Sequence, residues 1–115
     1  MSTELAGSPI DRELALSRVG GDTELLREIA CLFLEDYPKV MAELRDAAAR
    51  GDASGVERTA HSLKGSVSNF GAKGVIETAL QIEDFGRAKQ LAEIAPLLQA
   101  LERELAAIHP ELAAL

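Results

Sequence analysis

Residues 54–71 read S-G-V-E-R-T-A-H-S-L-K-G-S-V-S-N-F-G, and their apolar members recur at helical spacing. At about 100° per residue, Val56, Ala60, Leu63, Val67 and Phe70 fall within a stripe about 80° wide, which must be buried against other elements. His61 lies about 140° from Val56 on that wheel, on the polar side or its margin. Ser54 and Glu57 form an S-x-x-E capping box at the start, with Asp52 as an alternative cap. Asn69 to Gly71 marks the end, where Gly71 can take the left-handed cap.

The same period extends outward in both directions, and no segment shows sustained alternation with β-branched enrichment between hairpin turns. A short first helix is expected after Ser8-Pro9, ending before Gly20-Gly21. Residues 1–8 read as a loose arm. Asp22 caps a long second helix that carries Leu26, Ile29, Phe33, Tyr37, Val40, Leu44 and Ala47 and stops near Gly51, with a kink or break expected at Pro38. The fourth helix starts near Ala72, carries Val75, Ile76, Ala79, Leu80 and Ile82, and ends before Gly86. A fifth runs from about Lys89 to Ile108, closed by His109-Pro110, with 109–115 left as a tail; Pro96 bends it or marks its true start. Four long stripes joined by short loops predict an all-α fold: an antiparallel four-helix bundle with a short additional N-terminal helix, in one domain spanning 1–115.

Composition narrows the function. The 115 residues carry 19 acidic and 12 basic side chains, a formal charge of -7, which argues against a nucleic-acid partner or an anionic membrane. The longest apolar run, Ile29 to Leu34, is far short of the roughly 20 residues that span a bilayer. No basic-then-apolar leader opens the chain, so a cytoplasmic protein is expected. The one cysteine, Cys31, sits inside that apolar run and is expected to be a buried, inert thiol.

Chemistry concentrates on the third helix. Lys64 and Gly65 follow His61 at i+3 and i+4, with Ser68 one turn further, so histidine, cation and glycine share one uncrowded face. Taken singly, Lys64 is an ordinary surface charge and Gly65 a tolerated weak spot. Yet a helical glycine costs up to about 1 kcal/mol relative to alanine, and close approach of another backbone would explain it. On the fourth helix, Glu83 lies about 20° from Ala72, inside the apolar stripe, where a carboxylate needs a partner. With the third and fourth helices antiparallel, Glu83 is placed to accept from Nδ1–H of His61; the alternative is that it reaches water or pairs with Arg87 at i+4.

Ala60-His61-Ser62-Leu63-Lys64-Gly65-Ser66, continued through Asn69 and Phe70 to Gly71-Ala72, resembles the signature of histidine-containing phosphotransfer domains, A-H-x-L-K-G-[ST] followed by G-[AL]. The resemblance extends over about residues 9 to 108 and includes the Phe33–Leu44 stretch, Gly51-Asp52 and the Leu80–Arg87 segment. It implies a phosphorelay protein that accepts a phosphoryl group on His61 from a receiver-domain aspartate, or a kinase, and passes it to another receiver aspartate. Lys64 would neutralise phosphoryl charge, Glu83 would orient His61, and Gly65, Ser68 and Glu57 would meet the partner. The implied partners are response-regulator receiver domains and a sensor histidine kinase, engaged by a monomer. Mg²⁺ would come with the receiver, and no cofactor would be bound.

Neither a G-x-x-x-x-G-K-[ST] loop nor a G-x-G-x-x-G turn is present, so a phosphocarrier is expected, not an enzyme with its own nucleotide site. A helical adaptor that binds partners through the same face without phosphorylation is the competing reading. Glu57, His61 and Glu83 make a poor transition-metal set, with one histidine among carboxylates. His109 beside Pro110 is assigned no chemistry.

Overall fold

The computed structural model describes residues 9–115. Among them are five α-helices, α1 (Arg12–Arg18), α2 (Thr23–Ala49), α3 (Ala53–Val67), α4 (Lys73–Arg87) and α5 (Ala95–Ala113), with 3-10 turns at Ser68–Phe70 and Leu91–Glu93. Three aspartates start the first three. The Oδ1 atoms of Asp11, Asp22 and Asp52 accept from the backbone N–H groups of Leu14, Leu25 and Gly55 at 3.1, 3.0 and 2.9 Å. Each satisfies a donor with no intrahelical partner, a contribution of about 1 kcal/mol per cap.

One expected start is thereby corrected, and at another the alternative cap is the one that forms. The first helix begins at Arg12 because Asp11 supplies the capping oxygen, while Pro9 stands outside the helix. Ser8 and the arm 1–8 lie outside the described residues. On α3 the cap is Asp52, and the Ser54–Glu57 box does not form, since Glu57 turns instead to Arg87.

The four long helices close a ring of contacts, α2 on α3, α3 on α4, α4 on α5 and α5 on α2. Their direction follows from paired side chains. Along α3 and α4, Glu57 meets Arg87 and His61 meets Glu83; along α2 and α5, Tyr37 meets His109 and Arg45 meets Glu102. In both seams the number rises on one helix as it falls on the other, so the helices are antiparallel. The chain is an all-α bundle whose core is aliphatic apart from Phe33 and Phe70. Leu44, Val56, Leu63, Val67, Ile82, Leu101 and Leu105 are buried within it, each worth about 1.5–3 kcal/mol by removal from water.

Helix α2 runs unbroken through Pro38. The proline is on the exposed side, while Phe33, Tyr37 and Met41 continue the inward stripe across it and Phe33 stacks on Tyr37 at 5.4 Å. Cys31 is exposed, contrary to expectation. Six consecutive apolar residues sweep more than one full turn, so Ala30 and Phe33 face the core while Cys31 and Leu32 cannot. Leu80, placed with the core stripe of the fourth helix, is likewise 41% exposed.

The two ends of the last helices also differ from expectation. Gly86 is inside α4 and fully packed: a Cβ there would lie 2.9 Å from the Glu57 backbone nitrogen and 3.1 Å from the Ala53 carbonyl. It admits the close crossing of α3 and α4 and does not terminate the helix. Pro96 marks the true start of α5, and Lys89 to Ile94 form a connector. That helix continues through His109-Pro110 to Ala113, because Ile108 and Leu112 are both buried and hold the last turn down.

Helix α1 lies across the α3–α4 junction. Its leading Asp11 donates its backbone N–H to the Phe70 carbonyl at 2.8 Å, directly before Gly71, whose φ of +62° is the left-handed conformation that ends the 3-10 turn.

Candidate functional site

Helix α3 delivers His61 to the surface, and α4 delivers Glu83 beneath it. The imidazole is 68% exposed, whereas the Glu83 side chain is only 4% exposed. They meet at 2.9 Å between Nδ1 and Oε2. With a carboxylate as partner, Nδ1 is the nitrogen that carries the proton, and Nε2 is left with its lone pair on the solvent side.

Glu83 is surrounded by positive charge. Lys64 Nζ forms an ion pair with Oε1 at 2.7 Å, and Arg87 Nη2 reaches Oε2 at 3.1 Å. Burial alone pushes the carboxyl up, but bonding and charge from Lys64 and His61 outweigh it, and Glu83 is held below the usual glutamate range. Arg87 extends the network: Nε donates to Glu57 Oε2 and Nη1 to Asp84 Oδ1, each at 3.1 Å. Glu57, then Glu83 and Asp84, in turn hold the guanidinium more firmly in its charged form.

Gly65 lies one turn beyond His61, exposed, with nothing within 4 Å of the position a Cβ would take. Nothing inside the fold demands a glycine there. Ser68 is half-buried and donates its hydroxyl to the Gly65 carbonyl at 2.7 Å. On the opposite flank of α3, a groove runs between Ile29, Leu32 and Phe33 of α2 and Ser66, Asn69 and Phe70. Leu32 stands 65% exposed at its edge.

Of the residues singled out in the sequence, His61, Lys64, Glu83 and Glu57 therefore join one network, with Gly65 and Ser68 beside it. Lys64 is engaged with Glu83 and not free, a contact sequence reasoning did not anticipate. The Glu83–Arg87 pairing and the Glu83–His61 bond, posed as alternatives, occur together on one oxygen. The role of Arg87 as the hub of three carboxylates was missed, because its contact with Glu57 depends on the register of two helices. Among the described residues no group of three or more His, Cys, Asp or Glu is arranged to hold a metal ion, and no helix is long and apolar enough to cross a membrane.

The chemistry open to such a site is nucleophilic attack by Nε2 on an electrophile presented from outside, beside a lysine and over a residue with no side chain. Comparison with known proteins gives the family and the fold. Residues 28–111 match the family model of the Hpt domain. Histidine-containing phosphotransfer protein 2 of Arabidopsis thaliana is 31% identical over 103 residues, 87% of this chain, and the chain spans 66% of that relative's length. The crystal structure of histidine-containing phosphotransfer protein B from Pseudomonas aeruginosa PAO1 superposes with a TM-score of 0.84 at 27% identity, covering 92% of both chains. The Hpt domain of a sensor hybrid histidine kinase from Shewanella shares the fold, with a TM-score of 0.79, 18% identity and 92% coverage of both chains.

Proposed function

Because this chain belongs to the Hpt domain family, we propose that it is a phosphocarrier of a two-component phosphorelay, receiving a phosphoryl group on Nε2 of His61 and handing it to an aspartate of a receiver domain. The observation that carries this reading is the exposed imidazole anchored by its inner nitrogen on a buried carboxylate. The lone pair of Nε2 attacks phosphorus of an aspartyl phosphate in line. The P–O bond to the aspartate breaks as the N–P bond forms, and the carboxylate leaves with the bonding electrons. The Nδ1 proton stays on the ring, where Glu83 balances the charge that develops there. Transfer onward reverses these steps.

Lys64 supplies a cation on the turn next to His61 for the phosphoryl oxygens, and Mg²⁺ for the transfer comes with the receiver. Open space over Gly65 allows a partner's backbone to approach. A receiver seated there has the charged network on one side of α3 and, on the other, the groove at Leu32, which Glu35, Asp36 and Lys39 also line, with Glu57 and Ser68 at its margins. A sensor kinase is the alternative donor. The chain acts as a carrier in the cytoplasm, as a monomer, with activation of the phosphoryl group supplied by its partner.

The test is incubation with a phosphorylated receiver domain and Mg²⁺, wild type beside His61→Gln, followed by intact mass. A base-stable, acid-labile gain of one phosphoryl group on wild type only is expected. No labelling from any of several receivers or kinases would instead support the unphosphorylated adaptor.

A further inference from the structure

Glu83 faces two demands that conflict during transfer. It must remain charged and aimed at Nδ1 of His61, yet one of its cations, Lys64, is the one required at the phosphoryl oxygens. Lys64 Nζ lies 2.7 Å from Oε1, and its side chain is only 25% exposed. Each displacement of that ammonium toward the incoming phosphoryl group takes positive charge from a carboxylate that is itself buried. A buried anion deprived of its partner is strongly destabilised.

Arg87 occupies the position that resolves the conflict. Its three guanidinium nitrogens address three different carboxylates, Glu57, Asp84 and Glu83. The planar fork is thereby fixed in orientation, which a lysine with one charged nitrogen does not reproduce. It meets Glu83 on Oε2, the same oxygen that accepts from His61, and leaves Oε1 to Lys64. The neighbouring Gly86 brings the end of α4 against the backbone of Ala53 and Glu57, so that Arg87 reaches Glu57 across the helix seam.

Resting on the phosphocarrier reading, we propose that Arg87 is a positioning residue that acts through Glu83: it keeps the carboxylate charged and directed at His61 when Lys64 turns from Glu83 to the phosphoryl group. The function of Lys64 as a mobile cation thus depends on a second, stationary one.

The experiment is a double-mutant cycle on the rate of His61 phosphorylation by a phosphorylated receiver and Mg²⁺, using wild type, Arg87→Ala, Glu83→Gln and the double variant, with Arg87→Lys as the conservative control. Arg87→Ala is expected to slow uptake at saturating donor about fivefold with an unchanged half-saturating concentration, while in the Glu83→Gln background, where there is no charge left to hold, it changes the rate less than about twofold. Arg87→Lys restores part of the rate. Equal slowing in both backgrounds would reduce Arg87 to a helix-end charge, a rise in half-saturating concentration alone would make it a docking contact, and a wild-type rate in Arg87→Ala would remove its role. Each of these overturns the inference while labelling of wild type upholds the carrier. Failure of wild type to be labelled overturns the carrier reading itself, and this inference with it.

Discussion

The chain has two histidines, and both are exposed with Nδ1 2.9 Å from a hydrogen-bonding partner on a neighbouring helix. They differ in what the partner is. His61 rests on a buried carboxylate with a lysine on its next turn; His109 rests on the hydroxyl of Tyr37, edge-on to its ring, and is followed by Pro110. A phenol donates or accepts, so either tautomer of His109 suits it, whereas a carboxylate selects the Nδ1–H form and supports positive charge on the ring. On the phosphocarrier reading, exposure and a bonded nitrogen are common to both rings, and the charge behind His61 is what sets it apart as the nucleophile.

The largest expected effect separates the two rings directly. His61→Gln abolishes phosphoryl labelling and His109→Gln leaves it at the wild-type level, as read by intact mass after transfer. Labelling that survives in the first and disappears in the second would invert the comparison.

Removing the anion is the next test. Glu83→Gln retains shape but not charge, and is expected to slow His61 phosphorylation roughly tenfold, the low end of the cost of losing the partner that orients a metal-ligating histidine. The same carboxylate has a signature in stability. Its folded pKa is below the ordinary value of 4.5, so its contribution is complete above that value and is lost as pH falls through the folded one. Urea unfolding from pH 7 to 3 should therefore show a steeper loss for wild type than for Glu83→Gln, with the two curves converging in acid.

Gly65→Ala should divide stability from transfer. The helix gains about 0.5–1 kcal/mol in chemical unfolding, since alanine is the better helix former and its methyl group meets open space. Transfer from the receiver slows severalfold, because the methyl group stands where the partner approaches. Faster or unchanged transfer would remove the need for a glycine beside His61. The smallest effect on transfer belongs to the other ring: Tyr37→Phe costs about 0.5–1.5 kcal/mol of stability and leaves the phosphorylation rate unchanged.

Much of this arrangement is legible in the sequence. The wheel of residues 54–71 places His61 off the core stripe, and the wheel of the fourth helix places Glu83 within it; antiparallel packing then makes them neighbours. Periodicity carries that far because it reports which face of each helix is buried. It does not report the depth or register of contact between faces. Gly86 reads as a helix end in one dimension and is a spacer in three, since only the approach of α3 gives its missing side chain a purpose. Arg87 looks like an i,i+4 partner of Glu83, and its hold on Glu57 appears only once the two helices are aligned. Pro110 reads as a stop, yet the burial of Leu112 beyond it carries α5 onward. Cys31 and Leu32 belong to an apolar run that the helical turn divides between core and solvent.

The exposure of His61 also sets a clock. The imidazole is 68% exposed, so on the phosphocarrier reading a phosphoryl group there would stand in bulk water from the moment its donor departs. Its survival is governed by the hydrolysis of an N–P bond on the one hand and by the concentration and arrival rate of receivers on the other. A phosphocarrier built this way would store a message for a limited interval and deliver it only where receivers are abundant.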